Sequence, residues 1–138
     1  MKLNSSLKSF FVLLFIGVLF FSCARTHHKY YFAGKQSGKE DGSRQHPFTS
    51  LQKLSQLILQ PGDSIFFLAG DTLIGNIFLK NIRGTKENNI VFTSYGNAKS
   101  IINGGNKEAF VIDSSAYFKI KNLAMIGNGR KTGNTKDG

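Results

Sequence analysis

After residue 62 the chain is a run of short apolar segments divided by Gly- and Asn-containing turns, and the segments return at a long, near-regular spacing. The pattern predicts strands at Ser64–Leu68, Asn76–Lys80, Asn89–Ser94, Ser100–Asn103, Ala109–Ile112 and Tyr117–Ile126. Ile65, Ile90 and Phe118 open similar segments 25 and 28 residues apart. Ile77, Ile101 and Leu123 open a second series at 24 and 22. A spacing of about 20 to 30 residues marks a solenoid, in which each coil buries its apolar face only by stacking on the next. Within strands, side chains alternate: Ile77 and Leu79 are expected on one face with Phe78 and Lys80 on the other. Phe118 and Ile120 are likewise set against Lys119 and Lys121. Asn at the corners has a physical reason, because its short side chain tolerates left-handed backbone and can bond local or stacked backbone.

The N-terminal part is different in kind. Lys2 and Lys8 precede the run Phe10–Phe21, which has 12 apolar or small residues and no charge. As a helix it would reach about 18 Å, short of the roughly 20 residues that span a bilayer. This is the form of a signal-peptide core, so residues 1–22 read as a leader. The next residues, Phe20-Phe21-Ser22-Cys23-Ala24, resemble the lipobox of bacterial lipoproteins, with Phe20 standing where Leu is usual. That resemblance implies cleavage before Cys23, lipidation of Cys23 and a membrane-anchored protein, exported to an outer membrane or cell surface. More than one buried acyl chain makes such an anchor stable.

Residues 23–29 then form a polar, basic tether, and residues 30–138 the folded domain. Sixteen basic and eight acidic residues follow the leader, a net charge of +8. Export argues against nucleic acid as partner, and scattered lysines first of all keep a surface soluble. An acidic polysaccharide or anionic cell surface suits an exported basic protein better. Cys23 is the only cysteine, so no intramolecular disulfide holds the fold. His27 and His28 are adjacent without a third ligand nearby, which does not make a metal site.

Residues 34–47 read as a loop. Thr49 or Ser50 then caps an expected helix over Ser50–Leu59, with Leu51, Leu54, Leu57 and Ile58 on one face. Pro61, Gly62 and Asp63 end it and aim the chain into the first strand, with positive φ expected at Gly62. Asn103 and Gly104 are the corresponding turn residues later in the chain.

Several of these stretches together resemble a known family. They are Tyr30-Tyr31-Phe32, Lys39–Ser43, His46–Lys53 and Pro61–Ile65, then Asn89–Gly96, Ile102–Gly105 and the strand-Asn-strand unit Phe118–Gly129. The sequence looks like the start of the bacterial right-handed parallel β-helix proteins of the pectin-lyase-like superfamily. The resemblance implies an all-β fold, a right-handed parallel β-helix with a short N-terminal capping α-helix, represented by its first two to three coils.

It also implies a protein that binds or processes polysaccharide. One form is a polysaccharide lyase of pectate, alginate or chondroitin type, or a glycoside hydrolase, with catalytic coils beyond Gly138. The other is a non-catalytic surface or adhesion module. In such lyases a basic residue takes a proton beside a uronate carboxyl that calcium or arginine neutralises. Those residues come from middle coils, so no catalytic residue is assigned here. Calcium belongs to the complete family members, and Asp71, Asp113 and Asp137 are too scattered to read as its site. Lys119 and Lys121 are the residues expected to face a polysaccharide. Beyond Ile126 no apolar side chain occurs, and that Gly-, Asn- and Lys-rich stretch reads as a corner leading to another strand.

Overall fold

The computed structural model describes residues 26–127. Cys23, the leader, Asp137 and the stretch after Gly127 lie outside the described residues. The chain forms β1 (Lys29–Phe32), α1 (Gln52–Gln56), β2 (Ser64–Leu68), β3 (Thr72–Ile74) and β4 (Ile77–Lys80). It continues through β5 (Ile90–Tyr95), β6 (Ser100–Asn103), β7 (Phe110–Asp113), β8 (Phe118–Lys121) and β9 (Leu123–Ile126).

All strand pairs among the described residues are parallel, and each joins strands whose paired residues are more than 20 positions apart in the chain. Three sheets result, ordered β1-β2-β5-β8, β3-β6-β9 and β4-β7. The protein is therefore all-β with parallel sheets, as expected, in an arrangement consistent with a parallel β-solenoid. Stacking sets the register: Ile65 lies beside Phe92, and Phe92 beside Ile120. Inward positions of successive strands thus form apolar columns, and Phe32, Ile65, Phe67, Ile90 and Phe92 are fully buried. Phe32 and Phe67, neighbours in one column, have ring centroids 5.4 Å apart.

Several boundaries differ from the sequence reading. Ile77 belongs to the β4-β7 sheet, whereas Ile101 and Leu123 belong to β3-β6-β9, so the second spacing series mixes two faces. Its true first member is Thr72, paired with Ile101. Strand β3 has three residues with a single buried one, Leu73, too little for an alternation to show. The expected strand Tyr117–Ile126 is two strands, broken at Asn122, whose φ of 53° turns the chain from one sheet into the next. Asn81 does the same after β4 with φ of 58°. Lys29, placed in the tether, is the first residue of β1.

The expected helix Ser50–Leu59 is shorter, Gln52–Gln56, with Leu51 at its N-terminal boundary and no side-chain cap. Thr49 is engaged elsewhere, donating its hydroxyl to Glu40 Oε1 at 2.6 Å, and the Ser50 hydroxyl bonds Gln52 Oε1. Leu57 already has extended backbone, because residues 57–60 must return the chain to the turn at Asp63. Leu51 and Leu54 are buried as expected, but Ile58 is 82% exposed. Helix α1 packs against β4, whose one strand partner among the described residues is β7.

Candidate functional site

The turn Pro61-Gly62-Asp63 is held by several hydrogen bonds. Gly62 has φ of 92°, the positive value expected, and a Cβ there would meet the His27 ring at 2.8 Å. Asp63 is fully buried. Its two carboxylate oxygens accept the backbone N–H groups of His28 and Gln60, each at 2.8 Å. Its own N–H donates to Gln60 O at 3.1 Å, and its carbonyl accepts from Val91 N–H at 3.0 Å. One side chain thus ties the start of β1 to the corner, and the backbone carries that link to the next coil. Burial raises the Tyr30 phenol above its ordinary pKa, and the Asp63 charge adds to the effect.

The Asn103-Gly104 corner is built by stacking. Asn103 O accepts Gly75 N–H at 2.9 Å, and Gly104 N–H donates to Ile126 O at 2.7 Å. The Asn103 side-chain oxygen accepts Gly105 N–H at 2.9 Å and closes the turn. A Cβ on Gly104 would press on Lys107 O at 2.7 Å, which is why a residue without a side chain stands there.

Lys119 and Lys121 lie on β8 and are exposed. Their register partners are Val91 and Thr93, outward positions of β5, so both lysines project from the outer face of the β1-β2-β5-β8 sheet. Sequence alternation predicts this outward face for both. It did not reveal what shares that face. Tyr31 stacks on Phe66 with centroids 5.0 Å apart, and the Tyr95 ring stands edge-on to Tyr31 at 5.2 Å. Arg44, from the loop after β1, holds its guanidinium carbon 5.8 Å from the Tyr95 centroid. That loop is fastened to β1, with Tyr31 N–H donating to Gly42 O at 2.8 Å and Phe48 N–H to Tyr31 O at 2.9 Å.

The electrostatics of this face follow from a few groups. Burial raises the Tyr95 phenol above its ordinary pKa, and Asp71 adds to the effect while Arg44 opposes it. Asp71 is itself occupied, its Oδ2 accepting Gly34 N–H at 2.7 Å. The Thr49 hydroxyl and N–H lower Glu40, and Ser43 lowers Asp41. Beside Lys121, Ser94, Asn97, Lys99 and Asn122 line an open polar hollow of about 270 Å³.

No group of three or more His, Cys, Asp or Glu among the described residues could hold a metal ion. Asp71 serves the Gly34 turn, and Asp113 lies on another sheet, 3.6 Å from Lys80 Nζ. Among the described residues the donors do not fit a calcium site.

Two crystal structures of a GH136 lacto-N-biosidase from Eubacterium ramulus share this architecture. The native enzyme superposes with a TM-score of 0.62 and the selenomethionine derivative with 0.61, each at 30% sequence identity over 78% of the chain. The chain spans 22% of the length of those enzymes. No protein-family model matches the sequence. No curated protein matches it either.

Proposed function

We propose that this chain supplies coils of an exported, carbohydrate-active protein of right-handed parallel β-helix type, lipid-anchored through Cys23 and capped at its N-terminal end by α1. The observation that carries the reading is the likeness to a glycoside hydrolase over 78% of the chain at 30% identity, with parallel strands stacked coil on coil. The leader and Ser22-Cys23 support export and anchoring. The described residues supply glycan contact rather than bond cleavage. Glycoside hydrolysis in most families needs two carboxylates facing one bond. Of the seven carboxylates among the described residues, Asp63, Asp71, Glu40 and Asp41 accept backbone N–H groups of turns, Asp113 lies 3.6 Å from Lys80 Nζ, and Glu87 and Glu108 are exposed in separate turns. The cations Lys119 and Lys121 stand instead on the outer face of the sheet that also carries the Tyr31 and Phe66 rings.

The test is affinity electrophoresis of the full chain in gels cast with a panel of neutral and acidic polysaccharides, with product assays in parallel. Retarded migration in at least one gel is expected, with no new reducing ends and no ultraviolet-absorbing unsaturated sugar. Unretarded migration in every gel refutes the carbohydrate reading. Product formation shows that cleavage resides in these coils.

A further inference from the structure

The outer face of the β1-β2-β5-β8 sheet carries a cluster of three partly exposed aromatic rings, Tyr31, Phe66 and Tyr95. Tyr31 and Phe66 are register partners on adjacent strands, and their row continues through Thr93 to Lys121. Parallel strands lie about 4.8 Å apart, so this row runs about 14 Å from Tyr31 to Lys121. Tyr95 closes the aromatic group from β5, and Arg44 reaches over it from the loop that clasps β1. The three rings are half-buried and held against one another, so their orientation is set before any ligand arrives.

The geometry points to an oligosaccharide subsite, in which Tyr31, Phe66 and Tyr95 form an apolar floor for pyranose C–H groups while Arg44 and Lys121 take an anionic substituent. This rests on the carbohydrate reading above and adds the residues and the ligand chemistry. Amphipathic rings suit a sugar, which presents C–H and O–H groups together. Charge complementarity selects an acidic one. Arg44, Lys119 and Lys121 are exposed on this side. Asp71, the carboxylate that acts on Tyr95, is turned to Gly34 N–H. Guanidinium groups bind carboxylate or sulfate through paired N–H donors. The length of the row suits several sugar units rather than one.

The experiment uses the full chain purified in detergent and titrated with oligosaccharides of equal length that are neutral, uronate-bearing or sulfated. Uronate and sulfate arms separate the two anion chemistries, and tighter binding of either over neutral, weakened by salt, is expected. Tyr95→Ala should weaken binding of every responding glycan about tenfold, while Tyr95→Phe stays near the parent. Arg44→Ala, in an exposed loop, should remove most of the preference for acidic over neutral ligands. Circular dichroism and thermal unfolding check that each variant is folded. If Tyr95→Ala does not fold, Arg44→Ala decides. Equal affinity for neutral and acidic glycans overturns the inference, as does parental binding by both variants. Loss of self-association in Tyr95→Ala with glycan binding intact makes the face a contact between copies, and also overturns it. Failure of the parent to bind any glycan is distinguishable, because it refutes the carbohydrate reading as a whole.

Discussion

Replacing Asp63 with Asn separates charge and acceptor count from size. Both carboxylate oxygens are used, Oδ1 by His28 N–H and Oδ2 by Gln60 N–H, each at 2.8 Å, in a side chain with no exposed surface. An amide keeps the shape but has one acceptor oxygen. Whichever way it turns, one backbone N–H meets an NH₂ group and loses its bond. A buried donor left unsatisfied costs about 1–3 kcal/mol. With a urea dependence of about 2 kcal/mol per molar, the unfolding midpoint should fall by about 1 M. His28→Ala is the control. It keeps the backbone N–H and removes an imidazole that is 55% exposed and 3.5 Å from Asp63 Oδ1. Because the imidazole side of this contact is open to water, it contributes about 0–1 kcal/mol. Urea titration followed by circular dichroism measures both variants. An Asp63→Asn midpoint equal to that of the parent would show that the two amides find other partners, and that the carboxylate does not hold this corner.

Leu54→Ala should cost about 2–5 kcal/mol, because Leu54 is fully buried in the core beneath α1; an unchanged unfolding midpoint would make the helix an appendage. Gly62→Ala should be destabilising by about 1–2 kcal/mol for left-handed backbone alone, with the His27 contact adding to it, and equal stability in the same titration would contradict the φ of 92°. Cys23→Ser should abolish labelling by a palmitate analogue and release the protein from the membrane fraction; equal retention of the variant, with no labelling of the parent, would refute lipid anchoring. Glu40 has its pKa lowered below 4.5 by Thr49, so its contribution is present above the unfolded value and is lost as pH falls through the lower folded value. Acid titration by NMR should therefore show the Thr49 amide losing its bond below that range, and a Glu40→Gln variant with the same Thr49 profile would remove the cause.

Much of the site can be traced in the sequence, and the gaps have identifiable reasons. Lys119 and Lys121 are legible as outward residues because Phe118 and Ile120 alternate with them, a contrast of polar against apolar. Tyr31 and Phe66 are not legible as outward residues because Tyr30-Tyr31 and Phe66-Phe67 carry no contrast that says which residue faces in, and Tyr95, between Ser94 and Gly96, reads as part of a turn. Arg44 sits in a loop, and only the backbone bonds of Gly42 and Phe48 to Tyr31 bring it over the sheet.

Local chemistry alone determined the short strands, the Gly62 corner and the repetition that forces coils to stack, since side-chain alternation and backbone φ are properties of a few adjacent residues. Tertiary structure decided what depends on distant partners. It sorted Ile77 from Ile101 into different sheets, because a strand's sheet is set by which coil neighbour it bonds. It shortened α1 and left Ile58 exposed, because the chain had to reach Asp63 and close that corner rather than complete another helical turn. It gathered three rings from three strands and an arginine from a loop onto one face, because register between coils is fixed by the buried columns, and the outer residues are carried into place with them.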